Sequence, residues 1–190
     1  KINIANYGSL VLGVDDSNNF ANGGSIAIGR NTSADRGGFA LGHNATAEQG
    51  GIAMGFDNTG NPAYATNGSL AIGNATAQNG SFALGLKQGD KIFANGFGFA
   101  LGYHNVNATG FGVSIGYENV SSNSCSFSFG HSNIRTNQNA IAMGGDNLYA
   151  SQCAVVFGTD NSATNGSFAF GKGNSANYGS YSFGFRNIND

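Results

Sequence analysis

Small and large residues alternate in a five-residue unit that recurs along the whole chain. The unit reads small–large–small–large–Gly, as in Ser69-Leu70-Ala71-Ile72-Gly73. Successive copies close 12 to 18 residues apart, with an average of about 14. A period this short, without heptads, predicts the stacked coils of a β-solenoid. Thirteen copies occur, and their closing residues, the repeat glycines, are Gly13, Gly29, Gly42, Gly55, Gly73, Gly85, Gly102, Gly116, Gly130, Gly144, Gly158, Gly171 and Gly184.

Each coil is predicted to contain two short strands and two turns. The first strand ends at the repeat glycine, because period-two alternation with β-branched and aromatic residues is typical of a strand. A column of small residues, mostly Ala, stands eight positions before the repeat glycine and predicts the second strand. Asn-Gly pairs such as Asn67-Gly68 join the two and predict a turn with positive φ. The other turn carries three insertions, around Asp15 to Asn19, Asp57 to Pro62 and Lys87 to Lys91.

The two faces of the first strand differ in size. Large apolar residues stand one and three positions before every repeat glycine, which makes 26 side chains. A narrow coil whose second strand offers Ala has room only for the small face at native packing density. We therefore expect the large side chains to point outward and to be covered by identical faces of other copies in a closed cyclic oligomer. In the alternative orientation the large face of the first strand points inward, so that Phe and Leu fill the coil and the small residues face solvent. That arrangement would be a monomeric solenoid.

Composition narrows the class of protein. The chain has 32 Gly, 1 Pro, 40% hydrophobic and only 9% charged residues. A net charge of -2 with eight scattered Lys and Arg argues against nucleic acid, which needs a basic stripe. No apolar run approaches the roughly 20 residues of a membrane span. Because the repeat runs almost to both ends, we interpret the chain as a segment of a longer protein.

The repeat resembles a known family. The run from Asn67 to Ala77, Asn-Gly-Ser-Leu-Ala-Ile-Gly-Asn-Ala-Thr-Ala, is similar to the head repeat of trimeric autotransporter adhesins, the YadA-like heads. The resemblance extends from about Gly8 to Gly184 and implies that residues 1–190 are a single YadA-like head domain. It further implies an all-β, left-handed parallel β-roll, assembled as a parallel homotrimer around a hydrophobic axis. That axis would include Leu70, Ile72, Phe82, Leu84, Phe99, Leu101, Phe127, Phe129, Phe168 and Phe170.

The resemblance also implies a function. It predicts a non-catalytic adhesin head on the bacterial cell surface, beyond the outer membrane, with no direct membrane contact by this segment. The implied partners are host proteins, either immunoglobulin-fold receptors of the CEACAM type or collagen-like matrix. One alternative is a structural spacer that presents another tip domain. Another is an ice-binding solenoid, which would need flat rows of Thr rather than the mixed column found nine positions before the repeat glycine.

No set of residues predicts catalysis, a metal site or a cofactor. His43, His104 and His131 all fall in the turn after the repeat glycine, without a convergent set of partners. Cys125 and Cys153 stand five positions before their repeat glycines and are two coils apart. Two ladder spacings of about 4.8 Å exceed the roughly 7 Å Cα limit of a disulfide. We predict two unpaired thiols in small, buried turn positions.

Four aromatic residues interrupt the otherwise mostly polar column nine positions before the repeat glycine. They are Phe20, Tyr64, Phe93 and Tyr149, and the first three occur in the coils with insertions. Exposed aromatic side chains are favoured anchors in protein recognition. We predict that these four residues bind the ligand; the alternative is that each ring covers its own longer loop.

Overall fold

The computed structural model describes residues 2–13, 18–56, 62–85, 92–104, 106–118, 120–132, 134–146 and 148–189. By contact density the chain divides into two compact units, Lys1–Phe97 and Gly98–Asp190. Each unit is a parallel β-solenoid with coils of about 14 residues, as predicted. In the described ranges no helix is long and apolar enough to cross a membrane.

The described residues of the first unit form thirteen strands. In chain order they are β1 (Asn3–Ala5), β2 (Leu10–Gly13), β3 (Asn19–Asn22), β4 (Ile26–Arg30), β5 (Ser33–Asp35), β6 (Phe39–His43), β7 (Ala45–Glu48), β8 (Ile52–Phe56), β9 (Ala63–Thr66), β10 (Leu70–Gly73), β11 (Ala75–Gln78), β12 (Phe82–Gly85) and β13 (Ile92–Asn95).

In the second unit, the part of the chain that the structure describes forms fourteen strands. They are β14 (Phe99–Tyr103), β15 (Asn107–Thr109), β16 (Val113–Tyr117), β17 (Ser121–Ser122), β18 (Phe127–His131), β19 (Arg135–Thr136), β20 (Ile141–Gly145), β21 (Tyr149–Ala150), β22 (Val155–Thr159), β23 (Ser162–Ala163), β24 (Phe168–Lys172), β25 (Ser175–Ala176), β26 (Tyr181–Phe185) and β27 (Ile188–Asn189).

In both units the even-numbered strands form one parallel sheet and the odd-numbered strands form the other. Along the even-numbered sheet repeat glycines pair with one another, for example Gly29 with Gly42 and Gly116 with Gly130. Along the odd-numbered sheet the small column pairs with itself, for example Ala34 with Ala47. The predicted strands, alignment and register are confirmed. The left-handed sense and the three-fold assembly stay predictions.

Small side chains fill the interior of each coil. Ala27, Ala71 and Ala100 from the even-numbered strands are fully buried, and so are Ala34 and Ala108 from the odd-numbered strands. None of the 26 large side chains of the even-numbered strands falls in the buried class. The predicted orientation is therefore confirmed, and the alternative with Phe and Leu inside the coil is wrong.

Three consecutive coils of the second unit carry hydroxyl groups in place of alanine methyl groups. Ser114, Ser122 and Ser128 are fully buried and Thr136 is nearly so. The Ser122 hydroxyl donates to the Val113 carbonyl oxygen at 2.8 Å, and its Oγ lies 3.0 Å from Thr136 Oγ1. Buried hydroxyl groups are tolerated because each finds a partner.

The turn before each even-numbered strand has two consecutive residues in the left-handed region. Asn67 and Gly68 have φ of 53° and 70°, and Asn165 and Gly166 have φ of 54° and 73°. In several coils the turn is closed by a hydrogen bond from the fourth residue to the first, such as Gly51 N to Glu48 O at 2.9 Å. Positive φ at both central positions defines a type I′ turn, which explains the Asn-Gly sequences.

In the shorter coils of the second unit, buried asparagine side chains form hydrogen bonds with backbone groups. This feature was not predicted from the sequence. Asn161 Nδ2 donates to the carbonyl oxygens of Phe157 and Gly171, both at 2.7 Å, and its Oδ1 accepts from Asn174 N at 2.8 Å. Asn174 repeats this pattern one coil later. These amides satisfy backbone groups at the turn after the repeat glycine, where a buried unpaired group would cost stability.

The two cysteines are free, as predicted, but both are exposed. The prediction that they are buried is wrong, because their column is the second central position of the type I′ turn, where the side chain points to solvent. Cys125 and Cys153 have φ of 60° and 62°. Most other coils place glycine at this position.

We expect both thiols to react in the folded protein. Titration with an aromatic disulfide reagent, without reductant or denaturant, should release two equivalents of chromophore per chain. Mass spectrometry that found a Cys125–Cys153 linkage in the native protein would contradict the register described above.

Candidate binding surface

Two outward faces of the coils are the candidate interaction surfaces in each unit. We call the large side chains one and three positions before the repeat glycine the apolar face. The outward side chains of the odd-numbered strands, nine positions before the repeat glycine, are the polar face.

The apolar face comprises twelve side chains in the first unit and fourteen in the second. All are half-buried or exposed, and Phe129 and Phe170 are 46% and 55% exposed. The structure places all ten predicted axis residues on this face: Leu70, Ile72, Phe82 and Leu84 in the first unit, and Phe99, Leu101, Phe127, Phe129, Phe168 and Phe170 in the second.

Aromatic rings of the second unit stack from coil to coil along the apolar face. The Phe168 and Tyr181 rings lie 5.4 Å apart with an interplanar angle of 11°. The Phe170 ring lies 6.0 Å from Phe157 and 6.3 Å from Phe183. Offset and tilted ring pairs at these distances are attractive. The aromatic rows are therefore ordered by the coil repeat.

The even-numbered strands of the second unit continue one residue past the repeat glycine, and in β14 and β16 this extra residue is a tyrosine beside the apolar face. Tyr103 and Tyr117 occupy this added column and stack with ring centroids 5.1 Å apart. The His104 ring meets both edge-on, at 4.2 Å and 5.8 Å. The face predicted from the sequence ends at the repeat glycine, although the alternation of the sequence continues to Tyr103 and Tyr117.

Three of the four predicted ligand-binding residues lie on the polar face of the first unit. Phe20 is on β3, Tyr64 on β9 and Phe93 on β13. Thr76 pairs with Tyr64 on one side and with Phe93 on the other. Phe20 pairs with Ser33, and Thr46 follows in the same column before Tyr64. Tyr64 and Phe93 therefore flank one coil, whereas Phe20 is separate from them.

The phenol of Tyr64 has a raised pKa. Desolvation raises the pKa of its phenol above 10.0, and the Glu48 carboxylate adds to the effect through its charge and a hydrogen bond. The phenol oxygen lies 3.5 Å from Glu48 Oε2. Tyr64 is therefore neutral at physiological pH and acts there as a hydrogen-bond donor.

The fourth predicted residue, Tyr149, lies on the polar face of the second unit. It is on β21, where it pairs with Arg135 on one side and Ser162 on the other. Its side chain is 39% exposed and forms part of the wall of a groove of about 570 Å³. The structure thus places Tyr149 beside a cavity, which the sequence did not predict.

The insertions fall largely outside the described residues. Of the segments Asp15 to Asn19, Asp57 to Pro62 and Lys87 to Lys91, only Asn18, Asn19 and Pro62 are described. Asn19 is a buried residue of β3 rather than part of a loop, and its Oδ1 accepts from Thr32 N at 2.9 Å. The predicted pairing of each aromatic ring with its own insertion therefore stays a prediction.

The titratable side chains of the described residues form no obvious catalytic set. Within those ranges no group of three or more His, Cys, Asp or Glu side chains could hold a metal ion. His131 Nδ1 lies 3.8 Å from Asp146 Oδ1, and both side chains are more than half exposed. Such exposed pairs contribute little to stability.

Comparison with known proteins does not assign the chain to a family. No family model, curated protein or solved structure matches the chain. The class of protein that the structure defines is a parallel β-solenoid repeat protein. Function must be inferred from its surfaces.

Proposed function

We propose that the chain is the head of a trimeric surface adhesin, similar to the YadA-like heads, and that it binds a host surface without catalysing a reaction. The observation that supports the proposal is the outward apolar face, whose side chains alternate with buried, mostly small residues in every coil except the first, where Val11 is half-buried. The proposal includes display on the bacterial cell surface. Its protein partners would be an immunoglobulin-fold receptor or collagen-like matrix.

The apolar face supports self-association. A large apolar side chain contributes about 1.5–3 kcal/mol when it is fully buried. Soluble monomers rarely expose contiguous apolar patches beyond a few hundred Å². The rows on this face repeat with the ladder spacing of the sheet, about 4.8 Å. A second copy of the same chain in parallel orientation has rows with the same spacing, so it is a suitable partner.

A closed ring of parallel copies is favoured over an antiparallel two-fold dimer. A two-fold axis perpendicular to the strand stack would pair the face with itself in antiparallel orientation. In such a pairing the aromatic rows near Phe168 and Phe170 would meet the aliphatic rows at the other end of the unit. Parallel copies around a common axis keep like rows together. The resemblance to YadA-like heads favours three copies.

The polar face supports the adhesive part of the proposal. In an oligomer closed through the apolar faces, the odd-numbered sheets stay outside. Their outward column is mostly polar but carries the exposed or half-buried rings of Phe20, Tyr64, Phe93 and Tyr149. Aromatic residues of this kind are enriched at the energetic centres of protein interfaces.

The test has two readouts on the same protein. Light scattering coupled to size exclusion should give a mass of three chains at micromolar concentration, and a well-folded monomer would overturn the trimer. The trimer should then capture collagen-like peptide or an immunoglobulin-fold receptor from host surface proteins. A stable trimer that captures no host protein would favour the structural spacer instead.

A further inference from the structure

The groove beside Tyr149 runs along several coils of the second unit. It has a volume of about 570 Å³ and is lined by residues of five successive coils, from Thr109 to Thr164. Its floor is formed by the turn residues that precede the even-numbered strands. Because each coil contributes chemically similar residues, the groove presents a repeated row of polar groups rather than a single pocket.

The lining of the groove is polar and uncharged. Asn123, Asn137, Gln138 and Gln152 contribute side-chain amides, and the remaining polar residues besides Tyr149 are Ser and Thr. No Asp, Glu, Lys, Arg or His is among the lining residues. Amides and hydroxyl groups both donate and accept hydrogen bonds. Arg135 pairs with Tyr149 on the polar face but does not line the groove.

The backbone of the groove is already used by the coil ladder. Asn137 N donates to Ala150 O at 3.0 Å, and Cys153 N donates to Gln138 O at 2.9 Å. An extended peptide therefore cannot add to this surface as a further strand, which is how sheet edges bind peptides. The side-chain amides of Asn137 and Gln152, by contrast, have no hydrogen-bond partner in the described part of the chain.

Tyr149 supplies the apolar element of the groove. Tyr149 lies on β21 and is 39% exposed. Tyr combines a flat apolar ring with a polar hydroxyl, which suits ligands that are apolar on one side and hydrogen-bonding on the other. A pyranose ring has this character, since its C–H face is apolar and its hydroxyl groups lie at the rim.

We propose that this groove binds an uncharged oligosaccharide, with a sugar ring on Tyr149 and its hydroxyl groups on the amides of Asn137 and Gln152. This inference rests on the proposed adhesive function, and it specifies the chemical class of the host ligand. Peptide ligands are disfavoured because the backbone is paired and the groove has little apolar lining. The site lies within one unit and does not require the trimer.

The test is binding to a printed array of neutral and acidic glycans, followed by NMR titration with the uncharged oligosaccharides that bind. We expect chemical-shift changes at Tyr149, Asn137 and Gln152. Tyr149→Ala should weaken binding at least about tenfold, because it removes the aromatic platform. Tyr149→Phe, which keeps the ring, should retain most of the affinity.

A matched control is Tyr178→Asn, which removes an exposed ring from a turn of the same unit outside the groove and should leave saccharide affinity unchanged. Absence of binding by every neutral glycan would overturn the inference, and so would shifts that map away from the groove. Capture of collagen-like peptide at Tyr149 without any saccharide would overturn it in favour of a protein ligand. Trimer formation and host-protein capture are measured separately from saccharide binding. Failure of this inference can therefore be distinguished from failure of the proposed function.

Discussion

Gly130→Ala should strongly destabilise the centre of the second unit, whereas the same substitution at Gly166 should be tolerated. Gly130 ends the small–large alternation of β18 and has φ of 141°, a conformation that is essentially restricted to glycine. A Cβ at this position would overlap the carbonyl oxygen of Gly144 in the next coil and lie 2.9 Å from Ile134 Cδ1. Neither neighbour can move freely, because one is backbone and the other is a fully buried side chain.

The expected cost is the sum of two effects. Holding a residue other than glycine in this region costs about 1–3 kcal/mol, and overpacking a tight interior costs another 1–3 kcal/mol or so. In a solenoid each coil is stabilised by contacts with its neighbours. Loss of the contacts between two coils therefore uncouples the folding of the coils on either side. The urea midpoint should fall sharply when unfolding is followed by far-UV circular dichroism at fixed protein concentration.

Gly166→Ala is the matched control for this prediction. Gly166 also has positive φ, 73°, but a Cβ built on it meets nothing within 4 Å. Cys125, Asn139 and Cys153 occupy the same turn position in other coils with φ of 60° to 62°. Gly166→Ala should therefore lower the free energy of unfolding by only about 1–2 kcal/mol, which is the cost of holding alanine in the left-handed conformation. Equal midpoints for the two variants would show that the close approach between repeat glycines is not essential.

The difference between these two glycines also shows how far the sequence could predict the fold. Both kinds of glycine recur with the period, so the repeat, the register and the turn could all be predicted from spacing. The orientation of the strand followed from size, because Ala on the second strand leaves no room for Phe opposite it. These predictions rest on properties that every coil repeats.

Features that belong to single coils could not be predicted in the same way. Asn161 and Asn174 are buried where the four preceding coils place Val106, Val120, Ile134 and Leu148. The change coincides with coils that are one residue shorter, which was the available signal. Whether the amide contacts both carbonyl groups depends on where the next coil lies. Composition alone does not predict that position.

The candidate site was predictable only in part. Tyr149 stands out in sequence as an aromatic residue in a polar column. The groove beside it is formed by turn residues from five coils, and each of these residues is ordinary by itself. The exposure of Cys125 and Cys153 was missed for a related reason: a small residue near a glycine resembles a core residue until the turn type is known.

Phe127→Asp should prevent assembly without unfolding the coils. Phe127 lies on the apolar face of β18 and pairs with Val113 and Ile141 in the neighbouring coils. Its side chain points away from the coil interior, where Ser128 is fully buried. In a single chain the new carboxylate would therefore stay in contact with water, and the circular dichroism spectrum should match that of the unsubstituted protein.

In the proposed trimer the same substitution would place three carboxylates around an apolar axis. Burying an unpaired charge costs several kcal/mol per ion after relaxation, and the three like charges would also repel one another. This cost is comparable to the contribution of several large side chains at the interface. Light scattering at micromolar concentration should give the mass of one chain.

Ser162→Asp is the matched control, because it adds the same charge to the polar face of the same unit. Ser162 lies on β23, is half-buried, and follows Tyr149 in the outward column. If the odd-numbered sheet faces solvent in the assembly, this variant should remain trimeric. Assembly that survives Phe127→Asp but fails with Ser162→Asp would mean that the copies associate through the polar face. In that case the apolar face, rather than the groove beside Tyr149, would be the surface left for a host ligand.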